Sequence, residues 1–285
     1  MRVHAPGQRP VTAAREPVSK FFRTSDGVRL HYIEAGDGRT LIFVPGWVIP
    51  AEIWLVQLAY FSRNYRVVLP DPRSQGRSEP AQSGNSTERR AQDIAELIAH
   101  LGPEPVVCVG WSMGATEILS CVDRFGSDLM SGLVLVDVFI VQPEWMEQEV
   151  RRMSLDLLRD RTGAIDRYVR GMFRTPQEEG YITWLVNACL GTPADTAVAL
   201  MEDFLRQPDW RPVLRRLNRP LLYAAQEGLR GEAHLLRENL PGAQVEIFEA
   251  AGHALFVEEA DRFNDLLERF INGRSDRRPV AAGTR

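Results

Sequence analysis

A serine stands in a glycine-flanked turn where an apolar run gives way to a helical pattern. The run at 106–109 leads into Gly-Trp-Ser-Met-Gly at 110–114, and helical spacing continues over 115–121. A strand, a sharp turn and a helix in this order expose the serine hydroxyl beside a helix N-terminus, which favours negative charge. The pattern predicts that Ser112 is an activated nucleophile; a glycine-rich turn without chemistry is the alternative interpretation.

A serine nucleophile needs a neighbouring base, and the chain has five histidines. His253 follows the last apolar run, in a loop of the kind that carries functional groups at the carboxyl edge of a parallel sheet. Other contexts favour structural or surface roles: His31 lies in an early strand-like run, His100 ends an amphipathic helix, and His234 lies in a polar segment. We therefore expect His253 to be the base.

A third group should hold the imidazole in the tautomer that accepts a proton from serine. Asp137 directly follows the apolar run at 132–136, at the carboxyl edge of the expected sheet. Glu227 lies in the loop after the run at 220–224 and is the alternative acid. Asp137 is favoured, although a loop-bracing aspartate is common at a strand end. Two alternatives stay open: that Glu227 is the acid, or that neither carboxylate is.

A tetrahedral oxyanion needs hydrogen-bond donors, and two backbone N–H groups are candidates. The first belongs to Met113, immediately after the nucleophile. The second belongs to Trp47, in the Val-Pro-Gly-Trp loop at 44–47, where Gly46 allows a close backbone approach. We expect Trp47 and Met113 to form an oxyanion hole, with a plain turn as the alternative for the 44–47 loop.

Short apolar runs alternate with amphipathic helical segments, which predicts a mostly parallel sheet with helices on both faces. The first two runs, joined by a turn at 25–27, predict an antiparallel hairpin at one edge. Thr87 is the expected N-cap of a helix that precedes the run at 106–109. The eight predicted strands are 20–24, 28–34, 40–44, 65–69, 105–109, 132–136, 220–224 and 244–248.

One stretch, 141–212, has no strand-like run and contains helical segments rich in aromatic and methionine side chains. We interpret it as a helical lid inserted into an α/β core formed by 18–140 and 213–272. Residues 1–17 are polar and lack the apolar stretch of a secretory signal, so they predict a flexible leader. Residues 273–285 predict a flexible tail.

The composition argues against several classes of function. The 285 residues carry a net charge of -4, without the basic patch expected for binding nucleic acid or an anionic membrane. No apolar run is long enough to cross a bilayer. The three cysteines argue against a disulfide framework, and no cluster predicts a metal site. We expect a cytoplasmic protein that binds a small molecule and needs no cofactor or metal; its oligomeric state stays open.

These motifs resemble the α/β-hydrolase superfamily over roughly 18–271. The resemblance is carried by Phe-Val-Pro-Gly-Trp at 43–47, Asp-Pro-Arg-Ser-Gln-Gly-Arg-Ser at 71–78, the turn at 110–114, and Gly-His-Ala at 252–254. It implies an α/β-hydrolase fold with Ser112 as nucleophile, His253 as base, and the N–H groups of Trp47 and Met113 as oxyanion hole.

Two departures from the family pattern bear on the reaction. Pro45 stands where most members have histidine, and the loop after 220–224, where most members carry the acid, has no aspartate. Both features are similar to the cofactor-free quinolone-ring dioxygenases. Esterases and haloperoxidase-like hydrolases share the Pro-Gly-Trp and Ser-Gln-Gly-Arg-Ser features.

The leading hypothesis is a serine hydrolase that cleaves an ester or related acyl compound, apolar or aromatic, through a Ser-His-Asp triad and an acyl-enzyme. The first alternative is cofactor-free oxygenation of a heteroaromatic substrate, with His253 and Asp137 removing a proton. The second is a ligand receptor without catalysis.

Overall fold

The computed structural model describes residues 16–273, so the predicted leader 1–17 and tail 273–285 lie almost entirely outside the described residues. Within that range eight strands form one sheet, and each matches a predicted strand with its ends shifted by at most two residues. The strands are β1 (Val18–Arg23), β2 (Arg29–Ala35), β3 (Thr40–Val44), β4 (Arg66–Pro70), β5 (Val106–Trp111), β6 (Met130–Val136), β7 (Leu221–Gln226) and β8 (Gln244–Phe248).

The strand order is β1-β2-β4-β3-β5-β6-β7-β8. The β1/β2 and β2/β4 pairs are antiparallel, and all other pairs are parallel. Every residue of β5 is buried, because apolar clusters lie against both faces of the sheet. Such two-sided cover is why the central strands are continuous apolar runs. The predicted edge hairpin and mostly parallel sheet are confirmed.

Helices supply both covering layers. None of those in the described part of the chain is long and apolar enough to cross a membrane. The helices are α1 (Leu55–Phe61), α2 (Thr87–Leu101), α3 (Met113–Phe125), α4 (Met146–Arg159), α5 (Arg161–Gly171), α6 (Glu179–Leu190), α7 (Ala194–Phe204), α8 (Arg211–Arg216), α9 (Arg230–Asn239), α10 (Leu255–Glu258) and α11 (Ala260–Ile271).

The start of α2 differs from the prediction by one residue. Ser86, in extended conformation, is the N-cap, and its hydroxyl accepts a hydrogen bond from the Arg89 N–H. Thr87 is instead the first helical residue, and its groups bind α7 and the residues that follow it: its N–H donates to the Asp203 carboxylate, and its hydroxyl accepts from Gln207. The assignment of Thr87 as N-cap was wrong because a tertiary contact claims its polar groups.

Helices α4 to α7 fill the stretch between β6 and β7, and α8 crosses its end. Polar contacts tie these helices to the core at separate points. Asp203 of α7 binds the first turn of α2 at 2.7 Å. The Trp47 indole N–H donates to the Ala197 carbonyl of α7 at 2.9 Å. Glu258 accepts from the N–H groups of Arg174 and Thr175 between α5 and α6.

We expect Asp203→Ala to lower the free energy of unfolding by about 1–3 kcal/mol, because it leaves the Thr87 N–H without its charged acceptor. Hydrogen exchange in α7 should accelerate more than exchange in the sheet. Chemical denaturation and hydrogen-exchange mass spectrometry measure the two effects. Glu202→Ala, at an exposed neighbouring position on the same helix, is the matched control; equal effects of both variants would contradict the anchoring role.

Candidate active site

Ser112 lies in a strained turn between β5 and α3. Its φ of 55° and ψ of -121° lie outside the usual regions for a residue with a side chain. The flanking glycines are required by space: a Cβ on Gly110 would lie 2.6 Å from the Gly114 carbonyl oxygen, and one on Gly114 would lie 2.5 Å from the Pro45 carbonyl oxygen. The turn therefore presents the Ser112 side chain to the cavity at the carboxyl edge of the sheet.

His253 and Asp137 are brought together from positions 116 residues apart in the sequence. Nδ1 of His253 lies 2.6 Å from Oδ2 of Asp137. The Asp137 side chain is 1% exposed and the His253 side chain is 24% exposed. Because a carboxylate only accepts hydrogen bonds, Nδ1 carries the proton, and Nε2 of the neutral ring is left to accept one. The Ser112 hydroxyl forms no hydrogen bond within the described residues, so it is available to a substrate and to this base.

The loop of His253 is fixed from two sides. The Trp111 indole N–H donates to the His253 carbonyl at 2.9 Å, and the Glu258 carboxylate accepts from the Gly252 N–H at 2.6 Å. Since Trp111 directly precedes Ser112, one residue connects the turn of the serine to the loop of the histidine. Trp111 and Glu258 had no distinguishing signal in the sequence, because their roles depend on contacts between distant segments.

Glu227 occupies a different environment. Its carboxylate is about half exposed and binds the Arg230 guanidinium at 2.6 and 2.9 Å. That pairing with Arg230 lowers the pKa of the Glu227 carboxyl. The structure thus brings His253 to Asp137 and not to Glu227, and Glu227 does not line the cavity of Ser112.

His31 also takes part in a Ser-His-Asp row, away from this cavity. Its ring binds Asp71 at 2.7 Å and Ser19 at 2.7 Å. Asp71 also accepts from the N–H groups of Ala51 and Arg77, so it braces the loops after β3 and β4. The described side chains contain no group of three or more His, Cys, Asp or Glu residues arranged to hold a metal ion.

The loop after β3 lies against the serine turn. A Cβ added at Gly46 would lie 3.3 Å from Cβ of Ser112. Trp47 and Met113 both line the cavity. The backbone N–H of Trp47 donates to no group within the described residues. The backbone N–H of Met113 belongs to the first turn of α3, where helical acceptors are absent. Both donors can therefore serve an oxyanion.

The 46–49 turn is held by a buried glutamine. Val48 has a φ of 53°, which is strained for a β-branched residue. The Gln75 amide donates to the carbonyls of Gly46 and Ile49 at 3.1 and 2.9 Å, and its oxygen accepts from the Arg90 guanidinium at 2.7 Å. Gln75 belongs to the 71–78 motif of the sequence, but its contact with this turn was not predictable from spacing.

A cavity of about 300 Å³ opens above Ser112 and His253. Its walls are mostly apolar. Among the described residues that line it, the carboxylates are Glu149 and Asp137, the histidine is His253, and none is a Lys or Arg. Burial raises the pKa of the Tyr168 hydroxyl well above its usual range. Eight lining residues come from the helical stretch after β6: Trp145, Met146, Glu149, Val150, Met153, Tyr168, Met201 and Phe204.

Comparison with known proteins gives consistent results. Residues 41–266 match the family model described as the alpha/beta hydrolase family. A non-heme haloperoxidase of Rhodococcus erythropolis is 37% identical over 117 residues, 41% of this chain and 43% of that protein. Non-heme chloroperoxidase CPO-A1 of Kitasatospora aureofaciens is 25% identical over 273 residues, 87% of this chain and 98% of that protein.

Solved structures share the same architecture. An esterase from Exiguobacterium antarcticum superposes with a TM-score of 0.82 at 23% identity, over 88% of this chain and 98% of its own. At this level of identity the likeness concerns the fold. The predicted α/β-hydrolase fold is confirmed, whereas the alignment with the Rhodococcus protein covers less than half of that protein's length.

We expect Asp137→Asn to reduce turnover by about 10³–10⁴-fold, because an amide in place of the carboxylate favours the wrong imidazole tautomer. Glu227→Gln, the matched change at the other candidate acid, should leave turnover near that of the unchanged protein. Steady-state kinetics with a chromogenic ester compare the two. A large loss in Glu227→Gln, with Asp137→Asn unaffected, would reverse the assignment.

Proposed function

The chain belongs to the alpha/beta hydrolase family, and from this premise we propose that it is a serine hydrolase that cleaves an ester or a related acyl compound. The observation that carries the proposal is the 2.6 Å contact between Asp137 and the His253 ring beside the strained turn of Ser112, in one cavity. The esterase and haloperoxidase names of its relatives agree with this reaction class.

The proposed reaction uses only this chain and water. His253 takes the proton of the Ser112 hydroxyl as the oxygen attacks the acyl carbon, and Asp137 stabilises the imidazolium. The N–H groups of Trp47 and Met113 bind the oxyanion, each lowering the barrier by about 2.7–4 kcal/mol. The imidazolium then protonates the leaving alkoxide. Water, deprotonated by His253, releases the acid from the acyl-enzyme and restores Ser112.

The cavity walls support an apolar or aromatic substrate without negative charge. Aromatic and methionine side chains make up about half of the lining residues, and no lining residue within the described chain is a Lys or Arg that could pair with an anion. Glu149, half exposed at this cavity, is paired with Arg152 at 2.6 Å, so it offers no site for an anion. We infer that the helices between β6 and β7 act as a lid whose inner surface contacts the substrate.

A second candidate is cofactor-free oxygenation of a heteroaromatic compound. It is favoured by one observation: the carboxylate that meets His253 follows β6, the acid position that this chain shares by resemblance with the quinolone-ring dioxygenases. In that reaction the His253–Asp137 pair would remove a substrate proton, and Ser112 would orient the substrate without forming an acyl-enzyme.

We expect the purified protein to hydrolyse p-nitrophenyl esters, to be labelled by a fluorophosphonate at Ser112, and to lose both properties in Ser112→Ala. Mass spectrometry of the labelled peptide identifies the modified residue. Ser19→Ala, in the second Ser-His-Asp row, is the control and should keep both. Oxygen consumption with a hydroxyquinolone, without ester turnover or labelling, would support the oxygenase; ligand binding without either reaction would support a receptor.

We expect Trp145→Ala to weaken the preference for long-chain over short-chain p-nitrophenyl esters by about tenfold, the effect of about 1.4 kcal/mol of lost apolar contact. Trp145 lines the cavity, whereas Trp184, also a partly exposed tryptophan of the same stretch, does not. Trp184→Ala is therefore the matched control. An equal change in the ratio of kcat/KM values for both variants would argue against a lid surface that contacts substrate.

A further inference from the structure

Strand β7 ends in a glutamine, at the edge where most family members carry the acid. Gln226 is the last residue of β7, and it contacts the neighbouring strand end through two donors. Its backbone N–H donates to Oδ1 of Asp137 at 2.7 Å, and its side-chain Nε2 donates to Oδ2 at 2.9 Å. One residue thus binds both oxygens of the carboxylate that meets His253.

We propose that Gln226 is a positioning residue that holds Asp137 in the orientation required by His253. The inference rests on the serine-hydrolase proposal for the reaction, although the contacts themselves are independent of it. Asp137 directly follows β6, and the end of β7, where most family members carry the acid, provides the donors that fix it. The two strand ends form one unit: Asp137 directly follows β6, and Gln226, which binds it, ends β7.

The position of Asp137 explains why a clamp is needed. Asp137 has a φ of 49°, a strained conformation for a residue with a side chain. Its N–H donates to the Ala224 carbonyl at 2.8 Å, which fixes the backbone but leaves the carboxyl group free to rotate. With 1% of the side chain exposed, water cannot replace lost donors. Gln226 supplies those donors and prevents that rotation.

The Gln226 amide shares Oδ2 with the His253 ring, so it acts at the atom used in the reaction. The amide occupies one of the two lone-pair sites of Oδ2 and leaves the other for the Nδ1–H of His253. Other titratable groups surround this unit: Glu258 at the His253 loop, Glu149 across the cavity, and the buried Tyr223, whose pKa is raised by burial and by Asp137. The test variants leave all three unchanged.

The test compares Gln226→Met, Gln226→Glu and the control Gln92→Met over a range of pH. Gln226→Met keeps the length of the side chain and the backbone donor but removes Nε2. We expect kcat to fall about tenfold or more, as for the loss of one charge-assisted hydrogen bond, at every pH. Gln92 lies on α2 and binds Glu96 there, so Gln92→Met should match the unchanged protein.

Gln226→Glu provides a readout that a purely structural role would not move. The introduced carboxyl group, when protonated, can donate to Asp137 as the amide does, whereas its ionised form repels Asp137. We therefore expect Gln226→Glu to recover activity at low pH and to lose it as pH rises, which adds an alkaline limb absent from the unchanged protein. This variant carries the test if Gln226→Met fails to fold.

A second measurement separates this inference from the proposed reaction. The low-field proton resonance of the His253 Nδ1–H, assigned by its loss in His253→Gln, should broaden in Gln226→Met whatever the enzyme's substrate. Absence of ester turnover by the unchanged protein would defeat the hydrolase proposal alone. Unchanged kcat and an unchanged resonance in Gln226→Met, together with no alkaline limb in Gln226→Glu, would overturn the role of Gln226.

Discussion

The backbone at the carboxyl edge of the sheet is strained in a regular way, and the candidate site depends on it. The four described non-glycine residues with positive φ are Val48, Ser74, Ser112 and Asp137, and they follow β3, β4, β5 and β6 respectively. A left-handed conformation costs roughly 1–2 kcal/mol for such residues. Ser112 and Asp137 directly follow their strands and line the cavity, whereas Val48 and Ser74 lie four residues beyond the ends of β3 and β4.

Buried hydrogen bonds offset this strain. Gln75 spans the turn that contains Val48, and it is held by Arg90, which pairs with Glu117 on α3 at 3.1 Å. Both side chains of this pair are 2% exposed, and burial raises the pKa of Glu117 to about 7. Helix α3 begins directly after Ser112, and the same network therefore braces the turn of Ser112 and the 46–49 turn together. Hydrogen bonds through Gln75, Arg90 and Glu117 therefore connect the 46–49 turn to the helix that begins after Ser112.

The sequence predicted those features that depend on local pattern. Continuous apolar runs identified the strands because both faces of the sheet are covered, and the steric need for glycine at 110 and 114 identified the turn of Ser112. The sequence did not decide between Asp137 and Glu227 as the acid, because both residues follow strands that end at the same edge of the sheet. Spacing does not reveal which side chain turns inward. That choice is made by the pairing of β6 with β7, which brings the donors of Gln226 to Asp137.

The pairing of β6 with β7 also explains how an acid directly after β6 keeps a fixed orientation. An acid at the end of β7 would meet His253 from the loop that follows that strand. An acid directly after β6 lies beside the end of β7, where Gln226 binds it. The helices after β6 extend this arrangement, because Phe139, two residues beyond Asp137, packs edge-on against Trp145 at the cavity. The strained strand end that orients the Asp137 carboxylate therefore also directs the chain into the cavity wall, so the Asp137–His253 contact and the apolar lining share one structural origin.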